Sequence, residues 1–177
     1  MNTEAYLAMS DEKLTYVPHG SPLEKALLNW LITNRQPVQD LFIQRERSYK
    51  LLAAAPFASD RRRMTVAYQI TEDGTTKVRV VVKGAPEDLI PLCNSQKTSS
   101  NERIEFEGHG QEGKDYLEKV VTHMATSAYK PLSFCYKDIS MEEFEPLKQQ
   151  YFNFESEESR QHLESGLCLV ATFSFKD

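Results

Sequence analysis

With 177 residues, 40% of them hydrophobic, the chain has material for one domain with a proper core and little room for two. Its 26 acids against 21 lysines and arginines leave a net charge of -5, which argues against a general nucleic-acid or acidic-membrane binder, so any anion site must be local. Cys93, Cys135 and Cys168 show no Cys-x-x-Cys spacing, pointing to a reducing compartment rather than a disulfide framework or zinc knuckle. No apolar run approaches the roughly 20 residues that span a bilayer, and no signal-peptide pattern opens the chain, which therefore reads as soluble.

Residues 1–18 lack periodicity and read as an extended lead-in. Ser21-Pro22-Leu23-Glu24 then combines a capping-box spacing with proline at the first helical position. Leu23, Ala26, Leu27, Trp30 and Leu31 recur at helical spacing, which predicts an amphipathic helix to about Asn34 with those residues inward. Residues 48–56 and 64–70 are rich in apolar strand formers and predict two strands, leaving 57–63 as a connection or strand edge. Glu72-Asp73-Gly74-Thr75 is a turn signal, and 77–83 completes a hairpin.

A short helix is expected from Pro86 to Cys93, followed by a polar loop over 94–110. Leu117, Val120, Val121, Met124 and Ala128 mark a second long helix, with Pro131 as its stop. Leu132, Phe134 and Tyr136 alternate with polar and small residues as a half-buried strand. Ser140 and Glu143 offer another capping box for a helix to about Gln150, and 151–165, polar and acidic, read as a solvated loop or weak helix. Residues 167–175 alternate as a last strand. Hairpins and helices without a regular β-α-β rhythm predict an α+β fold, a mainly antiparallel twisted sheet flanked by helices.

Two strings carry chemistry. Lys83-Gly84-Ala85-Pro86-Glu87 closes the valine-rich run from Val78 to Val82, placing a flexible turn and a cation at a strand end where an anionic ligand can be met. Gly84 lets the backbone come close to a ligand, Pro86 suits a first helical position, and Glu87 and Asp88 complement the helix dipole. Upstream lies Phe57-Ala58-Ser59-Asp60-Arg61-Arg62-Arg63-Met64-Thr65, which holds the one dense basic cluster. The four histidines have no ligand spacing, and neither a Gly-x-Ser-x-Gly elbow nor a Walker phosphate loop is present, so no catalytic or metal residue is assigned.

Taken together and in this order, the two strings resemble the nucleotide-binding domain of P-type cation-transporting ATPases: the first is its Lys-Gly-Ala-Pro-Glu signature, the second its Phe-x-Ser-x-Arg-Lys-x-Met-Ser element. Weaker matches extend the likeness over nearly the whole chain, from Pro22 to the closing strand at 166–177, which resembles the return to the family's phosphorylation domain. Pro22 to Leu27 is similar to a Thr-Glu-x-Ala-Leu element, and Ala128 to Leu132 stands where the family has Gly-Leu-Arg-x-Leu, with glycine and arginine both changed.

The resemblance implies ATP or ADP as ligand, with magnesium carried by the nucleotide. It implies that Phe57 stacks on adenine, a base offering a flat π-face. Arg62 meets phosphate, as an arginine fork in place of the family lysine. Lys83 lines the base of the pocket or approaches a phosphate; Gly84 and Ala85 border it. Lys130 matches the phosphate-binding arginine, and Glu24 matches a glutamate at the adenine end, although its capping position explains it equally. Without the motif, Phe57 would read as a core aromatic. The family's phosphorylated-aspartate loop, actuator loop and membrane helices are not in this sequence, so the resemblance implies one cytosolic nucleotide-binding domain over 1–177, belonging to a membrane-embedded pump with phosphorylation and actuator domains as partners. Such a piece binds ATP without hydrolysing it alone. Ser59 and the Arg61-Arg62 pair point towards plasma-membrane-type calcium pumps. A free-standing nucleotide-sensing or protein-interaction module is the alternative, and a small nucleotide-processing enzyme lacks a catalytic cluster.

Overall fold

The computed structural model describes residues 5–10, 15–106 and 110–176, arranged as two compact units, Met1–Tyr49 and Lys50–Asp177. Among the described residues no helix is long and apolar enough to cross a membrane.

In the first unit the lead-in is extended, as expected, but paired: β1 (Tyr6–Ser10) runs antiparallel to β2 (Thr15–His19), with Tyr6 opposite His19 and their rings stacked. Helix α1 (Pro22–Thr33) starts where the capping box places it, the Ser21 hydroxyl accepting from the Glu24 N–H at 3.3 Å. Its inward stripe is not the expected one. Leu28 and Glu24 are buried and Leu31 packs beside them, whereas Ala26 and Trp30 face solvent. A second helix, α2 (Val38–Ser48), follows where the sequence showed no element, and Val38 and Phe42 join Ala5 and Leu28 in a small core.

The second unit is built on a seven-stranded sheet. Its strands are β3 (Lys50–Ala58), β4 (Arg63–Glu72), β5 (Thr75–Gly84), β6 (Cys93–Lys97), β7 (Arg103–Glu105), β8 (Lys130–Ser140) and β9 (Leu167–Phe175). They lie in the order β3-β4-β5-β8-β9-β6-β7, all antiparallel except β6 beside β9. The fold is thus α+β with a mainly antiparallel sheet, as expected. Asp73 and Gly74 both take positive φ, 51° and 76°, which is what a two-residue hairpin turn between β4 and β5 requires. Helices α3 (Pro86–Leu89), α4 (Gly110–Thr126), α5 (Met141–Gln150) and α6 (Glu157–Arg160) supply the remaining layer. Leu89, Leu117 and Phe144 of the helices, with Leu163 in the turn after α6, pack in one core with Val78, Val80 and Val82 of β5, Cys135 of β8 and Leu167 and Leu169 of β9, so these residues cover one sheet face.

Four further expectations are corrected. Within the stretch read as a polar loop, β6 and β7 form a strand pair, Ser95 opposite Glu105; residues 107–109 of that loop lie outside the described residues. Pro131 does not stop a helix: α4 ends at Thr126, Ala128 turns the chain at φ 60°, and Pro131 is the second residue of β8. The expected short helix from Pro86 to Cys93 is α3 plus a 3-10 turn over Ile90–Leu92, with Cys93 already in β6. The supposedly solvated 151–165 packs inward through Phe154, Leu163 and Glu164, the last only 1% exposed.

Candidate functional site

Strand register gathers most of the residues singled out above at one end of the sheet. β4 starts there with Arg63, opposite Gly84 at the end of β5, and Gly84 is in turn opposite Ser133, three residues into β8. The last residue of β3, Ala58, pairs with Arg63. Phe57, Arg62, Lys83, Gly84 and Ala85 therefore share one edge of the fold, and Lys130, at the start of β8, lies beyond Ser133 by about 10 Å of strand. Glu24 belongs to the other unit, where it is 8% exposed and its carboxylate accepts from the Ser21 hydroxyl at 3.2 Å.

Phe57 lies in an irregular part of the outermost strand. The β3–β4 pairing slips between Ala55 and Ala58, a bulge-type break that re-aims a side chain, and the proline before Phe57 is tolerated because β3 is an edge. The ring is 61% exposed. A large apolar ring left open at a strand end is what a planar ligand can cover.

The turn from β3 to β4 joins the two motifs. The Arg62 N–H donates to the Ala58 carbonyl at 2.8 Å, the residue takes φ 49°, and its own carbonyl accepts from the Ala85 N–H at 3.0 Å. Gly84 must be glycine for this approach, because a Cβ there would lie 2.6 Å from the Arg62 carbonyl oxygen and 2.6 Å from Arg63 Cβ. The sequence assigned Gly84 to closeness with a ligand; the crowding neighbour in the structure is β4. Lys83 is 8% exposed, opposite Met64 on one side and Phe134 on the other.

The arginine run does not behave as one basic patch. Arg61 and Arg63 turn inward onto buried Glu164: Arg61 pairs with Glu164 Oε1, Arg63 Nε donates to Oε2 at 2.7 Å, and the Thr65 hydroxyl donates to Oε1 at 2.5 Å. Glu157 adds a second carboxylate, 3.0 Å from Arg63 Nη2 and 2.8 Å from Arg61 Nε. The Arg61 Nε contact is an ion pair by distance only, since its N–H finds no aligned acceptor. Arg62 points the other way, to Asp88 and Glu87, with Nε 2.8 Å from Asp88 Oδ2, Nη2 3.0 Å from Oδ1 and Nη1 3.2 Å from Glu87 Oε1. Those carboxylates, Asp88 first, raise the Arg62 pKa above its ordinary value. Sequence reasoning missed Thr65, Glu157 and Glu164 and gave Glu87 and Asp88 only a helix-dipole role. The available signal was the acidic stretch from Glu155 to Glu164, complementary to three adjacent arginines.

The three cysteines, distant in sequence, converge in the core instead. Cys93 and Cys135 have sulfurs 3.5 Å apart, and hydrogen bonding to Cys93 together with burial pushes the Cys135 thiol far above its usual pKa. Buried and raised in this way, the Cys135 thiol stays protonated and inert.

Comparison with known proteins places this geometry in a family. The family model described as P-type ATPase, cytoplasmic domain N, matches residues 1–177 and so spans both units. "Calcium-transporting ATPase 2, plasma membrane-type" of Arabidopsis thaliana is 29% identical over 120 residues, 68% of this chain and 11% of that protein. A "Calcium-transporting ATPase" of Bacillus subtilis (strain 168) is 30% identical over 138 residues, 76% of this chain and 14% of the relative. "Putative calcium-transporting ATPase 13, plasma membrane-type" of Arabidopsis thaliana is 24% identical over all 177 residues, 15% of its length. The chain thus spans between 11% and 15% of these relatives, and the two Arabidopsis names carry the plasma-membrane type to which Ser59 and the Arg61-Arg62 pair pointed.

Proposed function

The chain belongs to the P-type ATPase cytoplasmic N-domain family, and on that premise we propose that its 177 residues act as one nucleotide-binding domain holding ATP or ADP at the sheet end described above. The observation that carries this reading is the backbone hydrogen bond from Ala85 to Arg62, which joins the two motifs into one edge beside an open aromatic ring. In this assignment Phe57 stacks on adenine and Arg62 meets the phosphates. Lys83, Gly84 and Ala85 line the pocket, and Lys130 approaches the phosphates. Magnesium arrives with the nucleotide.

Within a full-length calcium-transporting pump, the domain would lie in the cytosol and present ATP to an aspartate of a separate phosphorylation domain. The aspartyl-phosphate formed there would drive transport, with the actuator domain as a further partner. Cleavage needs an in-line nucleophile and a metal near the γ-phosphate, so this chain by itself binds without turnover.

Titration of the chain with ATP and adenosine, followed by NMR or calorimetry, tests the reading. Dissociation constants between roughly 0.1 and several mM are expected for a one-sided pocket. Phe57→Ala should weaken both ligands alike, by about 1 to 3 kcal/mol, whereas Arg62→Gln should weaken ATP more than adenosine. Failure of a folded chain to bind saturably at tenfold above that range would sink the proposal, and would favour a protein-interaction module instead.

A further inference from the structure

All three guanidinium nitrogens of Arg62 already face carboxylate oxygens: Nε and Nη2 make a side-on pair with Asp88, and Nη1 faces Glu87. That fork is the geometry with which an arginine grips a phosphate. A phosphate reaching Arg62 therefore meets an occupied donor set and must displace at least one resident carboxylate. The wider charge balance leaves no surplus cation, since Arg61, Arg62, Arg63 and Arg160 are matched by Glu87, Asp88, Glu157 and Glu164, four bases and four acids.

The two sets of pairs differ in how readily they exchange. Arg61 and Glu164 have side chains 5% and 1% exposed, so their pairing is sealed from a ligand. Arg62, Glu87 and Asp88 are 49%, 52% and 31% exposed, and water or a phosphate can replace one carboxylate without burying a charge. Glu87 and Asp88 also follow Lys83-Gly84-Ala85 with Pro86 alone between, so the segment that lines the proposed pocket carries the groups that compete within it.

We propose that Glu87 and Asp88 are specificity determinants of this site: as resident partners of Arg62 they compete with a ligand's phosphate and set how strongly a phosphorylated nucleotide is preferred over the bare nucleoside. The inference rests on the nucleotide reading above and assigns to it the two residues that hold phosphate recognition down. Adenine binding at Phe57 is outside their reach, since a stack on the base does not use the guanidinium.

The test compares the chain with its Glu87→Gln/Asp88→Asn variant, titrated with ADP and with adenosine in EDTA-containing, magnesium-free buffer, so that neither carboxylate can act through a metal. ADP affinity should rise about two- to fivefold in the variant while adenosine affinity stays unchanged. The same pair of changes made in an Arg62→Gln background should give no gain. A gain that persists without Arg62 would mean a general field effect and overturn the proposal, as would unchanged or weaker ADP binding. If the double variant loses its folded NMR spectrum, Asp88→Asn alone serves, because it removes the two-point partner and leaves Glu87 in place. An unaltered chain that binds neither ADP nor adenosine would refute the nucleotide reading and this inference with it; binding of both with no carboxylate effect refutes the inference alone.

Discussion

Gly84→Ala is the most discriminating single substitution at the sheet end. Replacing glycine by alanine within a strand ordinarily stabilises a protein by roughly 0.5 to 1 kcal/mol, because the unfolded chain loses freedom. Here the added Cβ would sit 2.6 Å from the Arg62 carbonyl oxygen, 2.6 Å from Arg63 Cβ and 2.9 Å from Arg63 Cα. Ordinary contact begins at 3.4 Å, so β4 and β5 would have to part by 3.4 less 2.6, about 0.8 Å, and two of the three obstructing atoms are backbone. Overpacking of this kind costs about 1 to 3 kcal/mol. Parting the strands also stretches the 3.0 Å bond from Ala85 to Arg62, worth about 1 kcal/mol. After the entropic gain is set against these, a net loss of about 2 kcal/mol is expected. Urea denaturation followed by circular dichroism measures it as a fall in midpoint at unchanged slope. Because the displaced carbonyl belongs to Arg62, ATP binding should weaken while adenosine stacking suffers less. A Gly84→Ala chain as stable as the parent would refute the argument from close approach and return the glycine to a role at the ligand.

Glu164→Gln should destabilise by about 2 to 4 kcal/mol in the same denaturation assay, since it leaves the sealed Arg61 with only the half-exposed Glu157 to balance it; a loss below about 1 kcal/mol would show that the buried pair carries little. Acid sensitivity should arise partly from Glu72 and Asp138. Lys77, then Arg79, lowers the Glu72 pKa; at Asp138 burial acts upward but is outweighed by the same two cations. Folded values below unfolded ones mean that their stabilisation is complete above the unfolded pKa of about 4 and disappears as pH falls through the folded values. Both pairs are partly open to water, so the effect is on the order of 1 kcal/mol or less, and an Arg79→Gln chain should lose less stability than the parent between pH 7 and pH 3. Parallel acid profiles for the two chains would contradict this account.

What could be read from the sequence was what depends on neighbours along the chain. Ser21 and Ser140 cap α1 and α5 as their spacing requires, Asp73-Gly74 makes the hairpin turn, and the alternation in 167–175 is β9. The direction in which α1 faces was not legible, because Glu24, a charged residue, occupies the buried stripe while Trp30 is 50% exposed. Helix α2 was missed since its apolar residues, Val38, Leu41, Phe42 and Ile43, span little more than one turn and the polar run from Gln44 to Ser48 continues no stripe. Strands β6 and β7 contain little that resembles a strand; Ser95 is buried because β9 and β7 pair on either side of β6. At the sheet end the motif residues were visible, but their partners were not. Glu157 and Glu164 reach Arg61 and Arg63 across roughly a hundred positions of chain, a separation that no local pattern encodes.

Turn geometry explains why three consecutive arginines end with different work. Arg61 and Arg62 lie in the turn before β4 and Arg63 opens the strand; Arg61 and Arg63 meet Glu164, and Arg62 between them meets Asp88 and Glu87. The positive φ at Arg62 sharpens that division, turning its carbonyl onto the Ala85 N–H while its side chain meets Asp88 and Glu87. Two guanidiniums on the inward side would repel and unfold the turn unless a carboxylate accompanied them into the core. Glu164 is that carboxylate, and Thr65 donates a third hydrogen bond to it. The inward pair therefore fixes the turn, and the fixed turn holds Arg62 outward beside Gly84 and Ala85. It follows that the run Arg61-Arg62-Arg63 offers a ligand one cation rather than three, so that in a chain of net charge -5 the proposed phosphate contact is local and modest in strength.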